Sequence, residues 1–338
     1  MAIFSPGVRR SALAEKLKLF FREPTIDTNR PIAGGMVPIE GFDVDLVHGV
    51  TDADVWDCGF AARLQEMERE SCVSVPAFPN RKFRLSYIFV NAGAGIHAPA
   101  DLQGKRVGIR FWANTAGIWA RGALQHHYNV DLQSIQWIAV QTDETSIPKG
   151  AIDLQFAAAS EFGVSASDHL DALLLSGAVD AVIDANVLPS IVRREKRVRR
   201  LFPDYPSEER AYFRSTGIFP ISHVVTLRRE FVERCPPAPV AVLRAFRQAR
   251  DMAFEAIEGS DPQVLVLPWI SHALEEQRTL MGDKYFSYDI ANNRGTLQAM
   301  MQFAHEQWLT PRVVDIADLF DPSAAALPDG DAVYAAPL

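Results

Sequence analysis

The sequence has little that would tie it to a disulfide framework or a metal centre. Its three cysteines, Cys58, Cys72 and Cys235, are scattered along 338 residues without the spacing of a structural metal site. We therefore expect free thiols and a reducing compartment. No HxH, HExxH or CxxC segment occurs, so neither a metal ion nor an organic cofactor is predicted.

Long apolar runs are also missing. None approaches the roughly 20 residues that a membrane-spanning helix needs. The first residues, MAIFSPGVRRSALAEKLKLFF, show neither the apolar core nor the cleavage site of a secretory signal. These absences predict a cytoplasmic protein with no membrane partner.

Positive charge is scarce over the chain as a whole. Lys and Arg total 34 against 42 Asp and Glu, which gives a net charge of −8. Because nucleic acids and anionic membranes bind to a basic face, both are excluded as general partners. The basic run RREKRVRR at residues 193–200 is interpreted as an exposed helix face or an oligomer contact.

The residues that are present indicate a large core and an α/β fold. Hydrophobic residues make up 48% of the chain, enough for two lobes. Strand-like and helix-like segments alternate, which predicts mostly parallel sheets. Ligands of such sheets bind at the carboxyl ends of strands. That rule selects residues 57–60, 110–115, 184–186 and 216–223.

Residues 76–121 interleave arginines with aromatic residues. Arg81 and Arg84, and after them Arg110, are predicted to hold a carboxylate, because the guanidinium fork matches it in two hydrogen bonds. The alternative is that they pair with Asp or Glu between lobes. Thr115 begins a predicted helix and is either an anion ligand or a plain N-cap. Arg121, almost two turns further on, is expected to point to solvent or to a neighbouring acid. The stretch predicts a cleft for a small, flat anion.

Several longer segments carry a resemblance to a known family. They are FPNRKFRLSYIFVNAGAGIHAPADLQGKRVGIRFWANTAGIWARGALQHHYNVD, TIDTNRPIAGGMVPIEGFDV and TGIFPISHVVTLRRE. Over residues 25–310 the sequence resembles the 4,5-dihydroxyphthalate decarboxylases, relatives of the type II periplasmic binding proteins. The resemblance implies two α/β lobes with a ligand cleft between them. Crossovers are expected near 90–96 and 216–223, so lobe one comprises 1–95 and 217–338 and lobe two comprises 96–216.

The same resemblance implies a function. It is the non-oxidative decarboxylation of a hydroxylated aromatic carboxylate or dicarboxylate, such as 4,5-dihydroxyphthalate, by a homo-oligomeric carboxy-lyase. Protonation of the ring would precede loss of CO2. The alternative is a solute-binding or sensor protein that holds a small organic acid without turnover.

Such a reaction needs cations for carboxylates, a proton donor facing the ring and polar groups on the phenol oxygens. His223 is the predicted donor, because histidine exchanges protons near neutral pH; the alternative is a structural histidine. Asp184, at a strand end, is either a base toward a phenol hydroxyl or a member of a cap or of an ion pair between lobes. Further substrate contacts are predicted at Thr115, Cys58, Phe60, Thr216 and Arg294.

Overall fold

The structure is a computed structural model that describes residues 14–67, 70–142, 145, 147–148, 150–160, 163–258 and 267–330. Residues 1–13, which include most of the segment predicted to lack a secretory signal, lie outside the described residues. So do residues 264–266, the start of a predicted helix, and residues 331–338 of a tail predicted to be loose.

Eleven strands in the described residues form two sheets. The first sheet has the order β2-β1-β3-β11-β4 and the second the order β10-β5-β9-β6-β7-β8. The strands are β1 Glu15–Phe20, β2 Phe42–Leu46, β3 Val55–Gly59, β4 Cys72–Val75, β5 Ile88–Asn91, β6 Arg106–Ile109, β7 Gln136–Ala139, β8 Asp153–Phe156, β9 Ala181–Ile183, β10 Val198–Arg200 and β11 His223–Arg228.

Helices pack on both sheets, which confirms the α/β class. They are α1 Arg30–Ala33, α2 Phe60–Gln65, α3 Thr115–His126, α4 Ala166–Ser176, α5 Pro189–Val192, α6 Tyr205–Thr216, α7 Arg229–Arg234, α8 Ala238–Glu258, α9 Ile270–Met281, α10 Arg294–Glu306, α11 Ile316–Leu319 and α12 Pro322–Ala325. Local signals set several ends: the Asn114 side chain accepts from the Gly117 N–H and caps α3, and Gly217 ends α6 at a φ of 66°.

Both sheets are mixed rather than mostly parallel. β1 pairs in parallel with β2 and β3, and β6 and β7 lie in a parallel run with β8 and β9. β11 is antiparallel to β3 and β4, and β5 is antiparallel to β9 and β10. The antiparallel strands are those that the chain reaches after it passes between sheets, a long-range feature that local sequence patterns do not encode.

The sheet to which each strand belongs indicates where one lobe ends and the other begins. Ile88–Asn91, which a boundary at residue 95 assigns to lobe one, pairs with β9 and β10 of the second sheet. The chain therefore enters the second sheet through residues 76–87 and returns between β10 and β11. We accordingly propose lobes defined by the two sheets, with these two segments as the crossovers.

The register of β3 and β11 positions the candidate site. His223 lies opposite Gly59, and Val225 lies opposite Asp57. Because side chains alternate along a strand, Asp57, Gly59 and His223 share one face of the sheet, and Cys58 lies on the other. Gly59 lies close to the start of α3 from the second sheet: a Cβ at Gly59 would lie 3.1 Å from Thr115 Oγ1. The two lobes therefore meet at the end of β3.

Candidate functional site

Asp57 and His223 form a buried pair on the first sheet. His223 Nδ1 lies 3.1 Å from Asp57 Oδ2. The side chain of His223 is 10% exposed and that of Asp57 is 0% exposed. Neighbouring strands hold both residues, so their separation is set by the sheet register rather than by flexible loops.

Arg84 lies beside this pair and bridges the two lobes. Its Nη2 donates to Ser222 Oγ at 2.5 Å, and its Nη1 donates to the carbonyl of Ala185 at 3.3 Å. No carboxylate within the described part of the chain lies at ion-pair distance from it, and its Nε has no hydrogen-bond partner there. Burial lowers the pKa of the Arg84 guanidinium to about 10. A buried cation of this kind is suited to binding an anion.

Arg110 and Asp184 lie at the ends of neighbouring strands in the second sheet. Arg110 Nε donates to Asp184 Oδ1 at 2.5 Å, and Arg110 Nη2 donates to Ser167 Oγ at 2.6 Å. Asp184 Oδ1 also accepts from the Ala185 N–H. The ion pair that sequence analysis offered as the alternative was one between lobes; the observed Arg110–Asp184 pair lies within the second sheet, and it neutralises the charge of Arg110. Together we call Asp57, Arg84, Arg110, Asp184, Ser222 and His223 the interlobe cluster.

Thr115 and Phe60 lie at the edge of the interlobe cluster. Thr115 Oγ1 accepts from the backbone N–H of Ala61 at 3.1 Å, a contact between α3 and α2. The Phe60 N–H donates to the carbonyl of Ser222 at 2.9 Å, and the Phe60 side chain is fully buried. The capping alternative for Thr115 is not what is seen, because Asn114 is the N-cap of α3.

Two buried asparagines add acceptor oxygens around the interlobe cluster. Asn29 Nδ2 donates to the Glu23 carbonyl and to Asp57 Oδ2, and Asn80 Nδ2 donates to Glu23 Oε2. These bonds fix the orientation of each amide, since the reverse orientation would place oxygen against oxygen. The Oδ1 atoms of both asparagines, and Oδ2 of Asp184, have no hydrogen-bond partner among the described residues. The interlobe cluster is therefore rich in acceptors that a hydroxyl could satisfy.

Arg81 is buried but serves a different part of the molecule. Its guanidinium donates to the carbonyls of Tyr285 and Phe219 and to Asn293 Oδ1. The guanidinium carbon lies 4.5 Å from the centroid of the Phe219 ring, and burial lowers the pKa of Arg81 to about 9. Both terminal nitrogens of Arg81 are thus directed at protein oxygens, and its Nε has no hydrogen-bond partner among the described residues. The role predicted for Arg81 in carboxylate binding stays a prediction.

Cys58 lies on the opposite sheet face from His223. Its Sγ is 3.4 Å from Thr226 Oγ1, and burial raises the pKa of the thiol to about 12. Cys58 lines a cavity of about 1700 Å³ together with Arg63 and Gln65, and neither Arg84 nor His223 lines that cavity. The structure does not bring Cys58 together with the interlobe cluster.

Three further residues are placed away from the interlobe cluster. Thr216 is exposed, and its hydroxyl donates to the Tyr212 carbonyl at the end of α6. Arg294 is exposed at the start of α10. Arg121 was expected to point to solvent or to a neighbouring acid, and the first expectation is wrong. The side chain is fully buried, stacks 3.9 Å from the centroid of Trp112 and donates from Nε to Gln307 Oε1.

Sequence reasoning missed Asp57, Ser222 and the two asparagines. Asp57 lies in the selected segment 57–60, but Cys58 and Phe60 were chosen from it. A strand alternation places Asp57 and Cys58 on opposite faces, and only the pairing with β11 shows which face carries His223. A buried Asp in a strand of otherwise apolar residues was the signal that could have found it.

Comparison with known proteins supports the predicted resemblance. The chain is 28% identical over 323 residues to 4,5-dihydroxyphthalate decarboxylase from Comamonas testosteroni, which covers 91% of this chain and 98% of the relative. The chain is similar to a 4,5-dihydroxyphthalate decarboxylase over almost its whole length. A decarboxylase of the same name from Pseudomonas putida is 25% identical over 210 residues, or 58% of this chain and 81% of the relative. The resemblance predicted from the motifs is confirmed. No family model matches the chain.

Solved structures confirm the two-lobed fold of the periplasmic binding proteins. The alkanesulfonate-binding protein SsuA from Xanthomonas axonopodis pv. citri superposes with a TM-score of 0.52 at 13% identity, covering 92% of this chain and 99% of that one. The aliphatic sulphonate binding protein SsuA from Escherichia coli gives a TM-score of 0.54 at 14% identity, covering 90% and 97%. At these identities the likeness concerns the fold. Within the described residues, no helix is both long and apolar enough to cross a membrane.

Proposed function

We propose that the protein removes CO2 non-oxidatively from a hydroxylated aromatic carboxylate, such as 4,5-dihydroxyphthalate, at the interlobe cluster. The predicted enzyme class, a carboxy-lyase, is confirmed by the two relatives that are named 4,5-dihydroxyphthalate decarboxylase. The observation that carries the proposal for the site is the position of Arg84. It is a buried guanidinium without a carboxylate among the described residues, bonded to Ser222, the residue that precedes His223.

Arg84 supplies the charge for substrate binding. A substrate carboxylate would provide the counter-ion that the described residues do not provide, and its oxygens match the fork of guanidinium N–H groups. Arg110 already has Asp184 as its partner, so in this proposal it orients Asp184 rather than holding a carboxylate itself. In this proposal Arg84 is therefore the arginine that binds the substrate carboxylate.

Hydroxyl groups on the ring match the acceptors around the interlobe cluster. The Oδ1 atoms of Asn29 and Asn80 and Oδ2 of Asp184 lack hydrogen-bond partners in the described chain. An unsatisfied buried acceptor costs about 1–3 kcal/mol, which a donated phenol hydroxyl would recover. Asp184 Oδ2 is in this way suited to accept a proton from a phenol, the role predicted for Asp184 from the sequence.

His223 supplies the proton. Protonated His223 forms a C–H bond at the ring carbon that bears the departing carboxylate, with a ring hydroxyl donating electron density to stabilise the protonated ring. The C–C bond to the carboxylate then breaks, its electron pair restores the aromatic ring, and CO2 leaves. His223 ends neutral and regains a proton from water. The step requires no metal or organic cofactor.

The test is CO2 release by the purified protein from 4,5-dihydroxyphthalate, with phthalate, which lacks the hydroxyls, as the comparison substrate. We expect turnover of the first only. His223→Gln should lower kcat by about 10²-fold or more while retaining substrate affinity. Arg84→Met should instead raise KM by about 10- to 100-fold, the loss expected for a charge-assisted hydrogen bond.

Arg106→Met is the matched control for Arg84→Met. Arg106 pairs with Asp180 on a half-exposed surface of the second sheet, and its loss should change KM less than about twofold. Binding of dihydroxylated acids without CO2 release would favour the alternative function, a solute-binding or sensor protein. Full activity of His223→Gln would contradict the proposed proton donor.

We also propose that the protein acts in the cytoplasm as a homo-oligomer. Cell fractionation and the hydrodynamic mass of the purified protein test these two points directly. A monomeric mass would exclude the second.

A further inference from the structure

Asp57 is held in place on more than one side. Its Oδ1 accepts from the backbone N–H of Arg22 at 2.5 Å, and its Oδ2 lies 3.5 Å from Asn29 Nδ2 and 3.1 Å from His223 Nδ1. The side chain has no solvent exposure. Among the described residues, His223 is the sole group at ion-pair distance that can carry a positive charge opposite Asp57.

The strand register explains why His223 can reach this carboxylate. His223 and Asp57 are diagonal neighbours on adjacent antiparallel strands, with Gly59 directly opposite His223. The imidazole leans along the sheet toward Asp57, which lies two positions before Gly59 on the facing strand. A Cβ at Gly59 would lie 3.1 Å from Thr115 Oγ1, and no atom of His223 lies within 4 Å of that position.

The two nitrogens of the ring then have separate tasks. An ionised carboxylate only accepts hydrogen bonds, so Nδ1 carries its hydrogen toward Asp57. Nε2, on the opposite edge of the ring, points away from Asp57. Neutral His223 is thereby held as the tautomer whose Nε2 lone pair can take up a proton, and the buried negative charge stabilises the imidazolium that forms.

We propose that Asp57 is a positioning residue that fixes the tautomer and stabilises the charged form of His223 through the Nδ1 contact. This inference rests on the proposed function, since it assigns a role to the same proton donor. Asp57 touches the reacting atoms only through His223, so it is not itself a catalytic residue. Its replacement should alter proton delivery more than substrate binding.

The experiment compares wild-type protein with Asp57→Asn. ¹⁵N NMR of the His223 ring, assigned by comparison with His223→Gln, should show hydrogen on Nδ1 of the neutral wild-type imidazole and a population with hydrogen on Nε2 in Asp57→Asn. In Asp57→Asn, kcat should fall by about 10²-fold with KM changed less than about threefold.

Asp54→Asn is the control. Asp54 precedes the same strand and accepts from the Lys18 N–H, and no described contact connects it with His223. It should leave the tautomer and kcat unchanged. Wild-type neutral His223 with its hydrogen on Nε2 would overturn the proposal without any variant, so a failure of Asp57→Asn to fold does not prevent the test. Undiminished activity of His223→Gln would contradict the proposed proton donor, and a wild type that binds the acid without CO2 release would overturn the proposed function, while the NMR result on Asp57 would stand in both cases.

Discussion

Arg81 and Arg84 lie three positions apart and are both buried, yet their guanidinium groups have different partners. Arg81 donates to two carbonyls and an asparagine that belong to residues 219–293, so it ties a crossover to the C-terminal part of the chain. Arg84 donates across the lobes to Ser222 and Ala185. Both guanidinium groups have a pKa lowered by burial. Only the second lies beside the Asp57–His223 pair.

Cys58 illustrates a residue whose chemistry is suppressed by its position. Its thiol packs on the sheet face away from His223, beside Thr226, and burial raises its pKa to about 12. The neutral thiol is thus favoured in the folded state. The stability linked to this preference is complete below the pKa of the unfolded thiol, near 8.5, and declines as the pH rises above it.

We predict that the free energies of unfolding of Cys58→Ser and the wild type diverge at high pH. Between pH 9 and pH 10.5 the free energy of unfolding of the wild type should fall relative to Cys58→Ser by about 1.4 kcal/mol per pH unit, because only the wild type gains a thiolate at position 58 on unfolding. Urea denaturation at pH 7, 9 and 10.5 measures this difference, and the other titrating groups cancel in it. Parallel curves for the two proteins would show that the thiol is not stabilised as the neutral form.

At the residue scale, sequence analysis predicted residue types better than their geometry. The arginine and aromatic content of residues 76–121 pointed to a buried cationic segment, and Arg81 and Arg84 are indeed buried. Which of them faces the other lobe depends on Ser222 and Ala185, more than 100 positions away along the chain. Arg121 shows how little a position in a helix says about the surroundings of its side chain. That position alone suggested an exposed side chain, whereas Trp112 and Gln307 enclose it.

At the scale of secondary-structure elements, α3 is a helix of the second lobe that packs against α2 and α10. It follows β6 of the second sheet, and one side of it packs on α10 near the C-terminus. The closest approach is at Gly122, where a Cβ would lie 2.1 Å from Phe303 Cδ2. Glycine is required here because no side chain fits between the two helices.

We predict that Gly122→Ala destabilises the protein by about 1–3 kcal/mol, since the added methyl group must displace the Phe303 ring or separate the helices. Gly295→Ala is the matched control on α10, where a Cβ would meet nothing within 4 Å. That control should be neutral or stabilising by up to about 1 kcal/mol, the ordinary helix preference for alanine.

The pair of substitutions can be checked by a double-mutant cycle. Phe303→Leu makes room beside position 122, so Gly122→Ala should cost less in the Phe303→Leu background than in the wild type. Urea denaturation gives all four free energies of unfolding. Strictly additive effects would show that the two residues do not compete for the same space.

The elements themselves were largely predictable, because local periodicity encodes them. The helix predicted to begin at Thr115 is observed as Thr115–His126. Strand direction was not predictable in this way. Whether β5, β10 and β11 run antiparallel to their neighbours depends on how the chain passes between the sheets, which involves contacts distant in sequence.

At the scale of the whole molecule, contacts on both sides of the interlobe cluster hold the lobes together. On one side Thr115 and Ala61 join α3 to α2, and Gln65 Nε2 donates to Thr145 Oγ1 at 3.1 Å. On the other side Gln307 joins α3 to the C-terminal part of the chain. Its side chain accepts from Arg121 Nε at 2.7 Å and donates to the Ile118 carbonyl at 3.1 Å.

These contacts distinguish the protein from a pair of lobes linked only by two crossovers. Gln307 is almost fully buried, and its carbonyl also accepts from Trp112 Nε1 at 2.8 Å. An opening of the lobes that moved α3 away from α10 would take the Gln307 oxygen away from the buried guanidinium of Arg121. We therefore expect the lobes to stay together with or without substrate, so that the interlobe cluster is arranged before binding.

Gln307→Leu tests this expectation, because leucine keeps the side-chain volume and removes both side-chain hydrogen bonds. The free energy of unfolding should fall by about 2–3 kcal/mol, the cost of leaving buried polar groups unpaired. A smaller population with the lobes in contact should raise KM several-fold, with kcat nearly unchanged. X-ray scattering should show a larger radius of gyration for the unliganded variant than for the unliganded wild type, and no change in the wild type when substrate binds. Gln302→Leu, at an exposed position of α10, should behave as the wild type in all three measurements. If Gln307→Leu lowers stability while scattering and KM stay constant, Gln307 contributes to the core but does not hold the lobes together.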